Sequence, residues 1–149
     1  MPDNADSLAV TMRRFDVGLA AEPASVREAR DRLSDLGLPD DLVFDAQLLL
    51  SELVSNSIRH SGLGDGQQVR VRAEWTGAKL RVVVSDGERA AGHIIVVGSI
   101  RPDPGMESGW GLFLVDRLAD RWGTDIGEHI SYWFEMEADG AVRRRASPL

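Results

Sequence analysis

Residues 51–60 read Ser51-Glu52-Leu53-Val54-Ser55-Asn56-Ser57-Ile58-Arg59-His60, and Leu48-Leu49-Leu50 leads into them. Glu52 and Asn56 stand four apart, so on an α-helix both leave the same face one turn from each other. Leu49, Leu50, Leu53, Val54 and Ile58 recur at helical spacing and are expected in a core. That leaves a carboxylate and a carboxamide at the edge of whatever the leucines bury. Oxygen ligands of this kind suit a hard cation such as Mg²⁺, which takes one or two protein ligands and fills its other positions with water and phosphate oxygens. A solvated helix face has the same spacing, and the decapeptide alone leaves both readings open.

Outward from this stretch, Leu38-Pro39-Asp40-Asp41 starts the same helix, with carboxylates in the first turn where the helix dipole favours them. Upstream, Pro23 can open another helix, whose apolar stripe is Val26, Ala29, Leu33 and Leu36, with Gly37 at the left-handed cap position. Val10 to Val17 reads as a first strand, and residues 1–9 as a flexible leader. Downstream, period two replaces the helical period. Val69, Val71, Ala73 and Trp75 alternate with Arg70, Arg72 and Glu74, and after a turn at Thr76 to Lys79 the apolar face resumes at Leu80, Val82 and Val84. This hairpin ends at Ser85-Asp86-Gly87.

The glycine- and proline-rich residues 87–108 read as a long lid-like loop with an apolar centre, Ile94 to Ile100. That centre could be a partner-binding surface or a lid strand. Gly109-Trp110-Gly111 opens a third helix with Leu112, Val115, Leu118 and Ala119 on one face, expected to end at Trp122-Gly123. A strand near Thr124 to Glu128 and another from Ile130 to Met136 close a domain spanning residues 10–137, before a frayed tail at 138–149. Trp75, Trp122 and Trp133 are expected to face the core. Arg70, Arg72 and Arg81 are expected on a solvated outer face.

Composition narrows the function classes. The chain has 149 residues, no cysteine, and 17 Lys+Arg against 24 Asp+Glu for a formal charge of −7. One core of ordinary size is expected, without disulfides or thiolate metal sites. The acidic balance and the lack of a basic arm argue against direct binding to nucleic acid. No apolar run approaches the roughly 18 residues that span a bilayer. The reading is a cytoplasmic chain.

Three pieces then stand in order: a helix with Glu52 and Asn56, a buried strand ending in Asp86-Gly87, and the glycine pair Gly109 and Gly111 opening the next helix. Backbone N–H groups at a glycine-rich helix start can close on phosphates, and the dipole adds to the attraction. Asp86, ending an apolar strand, could accept a hydrogen bond from an adenine amino group. The three together point to a nucleotide site.

On these residues the chain resembles the GHKL ATP-binding superfamily of gyrase B, heat-shock chaperone, histidine kinase and MutL types. It looks most like the small bacterial anti-sigma factor serine kinases of the RsbW type. The N box corresponds to Glu52 through His60, the first glycine box to Val84-Ser85-Asp86-Gly87, and the second to Gly109 through Val115. Leu36-Gly37-Leu38-Pro39-Asp40-Asp41, Asp116 through Gly123, and Tyr132-Trp133-Phe134-Glu135 agree outside the boxes. The resemblance implies an α+β fold: a two-layer sandwich with a mixed, mostly antiparallel sheet and helices on one face.

It also implies ATP and Mg²⁺ as cofactors. Asn56 would be the metal ligand, Asp86 the adenine partner, and Gly87, Gly109, Gly111 and Leu112 further nucleotide contacts. Glu52 would be the general base in transfer of the γ-phosphate to a serine or threonine. The implied partners are a STAS-domain anti-sigma antagonist, which is phosphorylated, and a sigma factor, which is sequestered; a homodimer is possible. One departure stands out. The superfamily commonly has Asp-x-Gly in the first glycine box, whereas Gly87 follows Asp86 directly and Glu88 takes the expected glycine position. Two rivals follow, a partner-binding module of the same fold with weak nucleotide binding and a stand-alone ATPase. His60 fits a helix C-terminus, and His93 carries no assignment.

Overall fold

The alternation between Gln68 and Trp75 becomes a strand in which Val69, Val71, Ala73 and Trp75 are buried and the residues between them exposed. The computed structural model describes residues 12–60, 67–88, 110–126 and 129–138. In chain order these form β1 (Arg13–Ala20), α1 (Ala24–Ser34), α2 (Asp40–His60), β2 (Gln68–Trp75), β3 (Lys79–Glu88), α3 (Trp110–Leu118), β4 (Arg121–Ile126) and β5 (His129–Glu137). The leader at 1–9, the lid-like loop with His93 and Ile94 to Ile100, the expected end of the second helix at Ser61-Gly62, Gly109, and the tail beyond Ala138 lie outside the described residues.

The strands form one five-stranded sheet in the order β1-β2-β3-β5-β4. The fold is α+β, as expected. Its pairings differ in one respect from the mixed sheet that the resemblance implied, because all those among the described strands are antiparallel. The parallel relation lies between β3 and β4, which α3 connects, but β5 is inserted between them and runs against both. The unit is a split β-α-β.

Element ends differ from the sequence reading where pairing overrides local pattern. β1 lies at Arg13–Ala20 rather than 10–17 because it pairs residue for residue with β2, from Arg13 opposite Trp75 to Ala20 opposite Gln68. The third helix ends at Leu118, short of Trp122-Gly123. The Ala119 N–H still bonds the Val115 carbonyl, but the next donor, Asp120 N–H, bonds the Glu135 carbonyl and draws the chain into the sheet. Trp122 and Gly123 therefore belong to β4.

One core lies between the sheet and the helices. Leu42, Ala46, Leu49, Leu50, Leu53 and Val54 of α2 meet Val69, Val71, Leu80, Val82, Phe134 and Met136, all essentially inaccessible. The chain turns from α1 to α2 at Gly37, whose φ of +71° is the left-handed conformation glycine takes without a Cβ penalty. Gln47 Nε2 then ties the helices together, donating to Ser34 Oγ at 2.6 Å.

The other sheet face is polar. Registers set Arg14, Glu74, Arg81, Glu135 and Arg121 in one row across all the strands. Arg70 forks onto Asp16 at 2.8 and 2.7 Å. Of the three tryptophans expected in the core, Trp75 is buried and Trp122 packs half-buried against the core, its Nε1 donating to Asp116 Oδ1 at 3.0 Å. Trp133 is on the opposite face, beneath the Arg81 guanidinium at 4.5 Å from the ring centroid. Alternation in β5 gives the core side to Tyr132 and Phe134, so the residue between them points away.

Candidate functional site

Within α2 the residues that recur every three or four positions are buried, and Glu52 and Asn56 are half-buried at the margin of that stripe. The one-turn relation read from the sequence is therefore present. α2 packs against both β3 and α3, so the helix that carries the pair joins the elements that carry the two glycine boxes.

Asn56 has a partner that sequence reasoning did not assign. Arg59 Nη2 donates to Asn56 Oδ1 at 3.3 Å. The signal was the i,i+3 spacing, which puts the two on neighbouring helix positions. The carboxamide is thereby held with its oxygen engaged by a cation. A carboxamide oxygen suits a hard metal ion, which would take this oxygen in place of the guanidinium. Among the described residues no three acidic, His or Cys side chains gather around a common point. A cation at Asn56 would therefore draw most of its ligands from nucleotide oxygens and water, as Mg²⁺ commonly does.

Asp86 and Gly87 lie at the end of β3, where the ladder to β5 is interrupted. Ser85 pairs with Ser131 and Glu88 with His129, so two residues of β3 oppose the single Ile130. This is a β-bulge, a device that ends or re-aims a strand beside functional sites. Glu88 remains in the strand. Positive φ is confined, among the described residues, to Gly37 and Gly77, so Glu88 adopts a backbone open to any residue. The departure from Asp-x-Gly thus brings no backbone strain. Ser85 Oγ and Ser131 Oγ, 2.9 Å apart, brace the step before the bulge.

Gly111 and Leu112 fall in the first turn of α3, which contains no acidic residue. The positive end of its dipole is therefore uncompensated by a carboxylate of its own. The sequence profile of the histidine kinase-like ATPase domain matches residues 19–129, which contain α1, α2, both boxes and β4. The chain belongs to that family. No curated protein matches the sequence. The histidine kinase-like ATPase domain is also similar to the crystal structure of the RsbU and RsbW domains of a Mycobacterium tuberculosis protein. The TM-score is 0.62 at 18% identity, over 84% of this chain and 32% of that one. That likeness establishes the fold, and the chain spans about a third of that structure's length.

A histidine kinase-like ATPase domain is an ATP-using unit. Among the described residues no helix is long and apolar enough to cross a membrane.

Proposed function

We propose that the chain is an ATP-dependent protein serine/threonine kinase acting as an anti-sigma factor, with a STAS-type antagonist as phosphoacceptor and a sigma factor as the sequestered partner. The observation that carries this reading is the half-buried Glu52–Asn56 pair on the helix that packs on both β3 and α3. Glu52 takes the proton from the acceptor hydroxyl as its oxygen attacks the γ-phosphate of ATP. Asn56 would hold Mg²⁺. When bound, Mg²⁺ neutralises charge on the phosphate oxygens. Asp86 would receive the adenine, Gly109 and Gly111 would hold the phosphates, and Gly87 and Leu112 would make further nucleotide contacts. Phosphoryl transfer depends mostly on positioning and charge neutralisation, so this small set of groups is enough.

The test is phosphoryl transfer from labelled ATP to the antagonist. Glu52→Ala should lower the rate by about 10²–10⁴-fold, the usual contribution of a positioned general base, with the circular dichroism spectrum unchanged. Unchanged transfer in that variant would remove Glu52 from the role.

Glu88 favours a second reading, since it takes the position where the superfamily commonly has glycine, and β3 continues through it to pair with His129. In this reading the fold serves as a partner-binding module with weak nucleotide affinity. Calorimetric titration separates the two. Micromolar binding of ATP with Mg²⁺ supports the kinase, and absence of heat at millimolar ATP with partner binding retained supports the module.

A further inference from the structure

α1 and α2 are joined by a short turn and packed through Ala29 and Leu33, but the seam between them is open at the surface. A cleft of about 370 Å³ is lined by Pro23, Val26, Arg27, Arg30, Asp31 and Gln47. A second, of about 150 Å³, is lined by Pro23, Val26, Ser55, Ile58 and Arg59. Because they share Pro23 and Val26, the two form one groove. It follows α2 from Gln47 to Arg59, about 18 Å at the helical rise, room for some three turns of another helix.

The groove has an apolar floor of half-buried Val26 and Ile58 and a basic rim. Arg27, Arg30 and Arg59 face it against the single carboxylate of Asp31. Among the described residues neither Arg27 nor Arg30 makes an ion pair, whereas their neighbour Arg32 is 4.0 Å from Glu28. A chain with a formal charge of −7 thus carries a locally positive groove with apolar footing. An apolar strip between charges is how one helix receives another, with anchors at i, i+3, i+4 and i+7. The sign of the rim then selects the occupant.

We propose that the groove between α1 and α2 docks an acidic amphipathic helix of a protein partner. Its apolar side chains lie on Val26 and Ile58 and its carboxylates meet Arg27, Arg30 and Arg59. From the proposed function this takes only that the chain works through a protein partner; the groove stands on its own geometry and charge. Its far end is shared with the candidate site, because Arg59 both lines the groove and donates to Asn56.

The experiment uses the whole chain without nucleotide and two labelled twelve-residue amphipathic helical peptides with leucine at the anchor positions, one with glutamate elsewhere and one with lysine. Fluorescence anisotropy should give binding of the glutamate peptide at low salt and none of the lysine peptide. The exposed pair Arg27→Glu/Arg30→Glu should weaken the glutamate peptide by about tenfold or more. The control pair Arg14→Glu/Arg72→Glu, on the outer sheet face, should leave its Kd within about twofold, since distant charges are screened. Amide shifts should centre on Val26, Ser55 and Ile58. No binding, equal loss in both pairs, or shifts centred on the outer sheet face would overturn the groove. Because no nucleotide is present, a chain that fails to transfer phosphate can still support the groove, and an active kinase can still refute it.

Discussion

A Cβ added at Gly123 would lie 2.7–2.8 Å from atoms of the Trp133 indole, closer than real contacts allow. The two residues are cross-strand partners, and the ring covers the backbone that glycine leaves bare. Gly123→Ala should therefore destabilise by about 1–3 kcal/mol, the usual cost of overpacking. The measurement is urea unfolding, with the variant's tryptophan emission shifted as the indole leaves its site. A wild-type midpoint in Gly123→Ala would show that the ring yields freely. Gly37→Ala tests a different cause, because its φ of +71° penalises any Cβ, by about 1–2 kcal/mol. Legibility at this scale followed periodicity. Glu52 and Asn56 could be placed because helical spacing fixes their relation. Trp133 could not, because β5 has aromatic residues on both faces and only alternation against its partners decides which side is core.

Along the elements, the row Arg14, Glu74, Arg81, Glu135 and Arg121 alternates in sign across the whole sheet. Opposite charges directly across a ladder stabilise a pair, but exposed ones contribute little. Glu135 is the exception. Its side chain is only 9% exposed, with Lys79 Nζ at 3.1 Å and Arg81 Nη1 at 3.4 Å. Burial pushes its carboxyl up, and the hydrogen bond and charge of Lys79 with the charge of Arg81 outweigh that, holding it below the ordinary value of 4.5. A carboxylate depressed in the fold adds stability above its unfolded pKa, and that contribution is lost as pH falls through the folded value. Glu135→Gln should therefore cost about 1–3 kcal/mol at pH 7, where it leaves two cations without their acceptor. The cost should shrink on acidification below the ordinary carboxylate value. Urea unfolding at both pH values checks this, and an equal gap at both would show that the loss is one of packing. None of the row could be read from one strand, since it exists only once the registers are set. The same holds for the ends of β1 and α3, which pairing partners fix.

For the whole molecule, the order of motifs was enough to place the chain in its family, because a helix, a strand end and a second helix start must converge for any of them to be useful. The insertion of β5 between β3 and β4 was not legible, since nothing in a strand's own residues names its neighbours. Convergence of this kind couples the site to the fold, so a ligand that binds only the folded chain should raise its melting temperature. At one hundred times its Kd, a single-site ligand adds about 2.7 kcal/mol. For a domain near this size each kcal/mol moves the midpoint by roughly 2–4 °C, so saturating ATP with Mg²⁺ should raise it by about 5–10 °C. Chelating the metal should remove part of that rise and, on the adenine role proposed for Asp86, leave the rest. In Asn56→Ala, ATP should stabilise equally with and without Mg²⁺, and in Asp86→Ala the nucleotide-dependent rise should disappear. Differential scanning fluorimetry of the three proteins with ATP, with and without a chelator, reads all of these. A metal-dependent rise that survives in Asn56→Ala would move the cation to other ligands, and one that survives in Asp86→Ala would move the adenine.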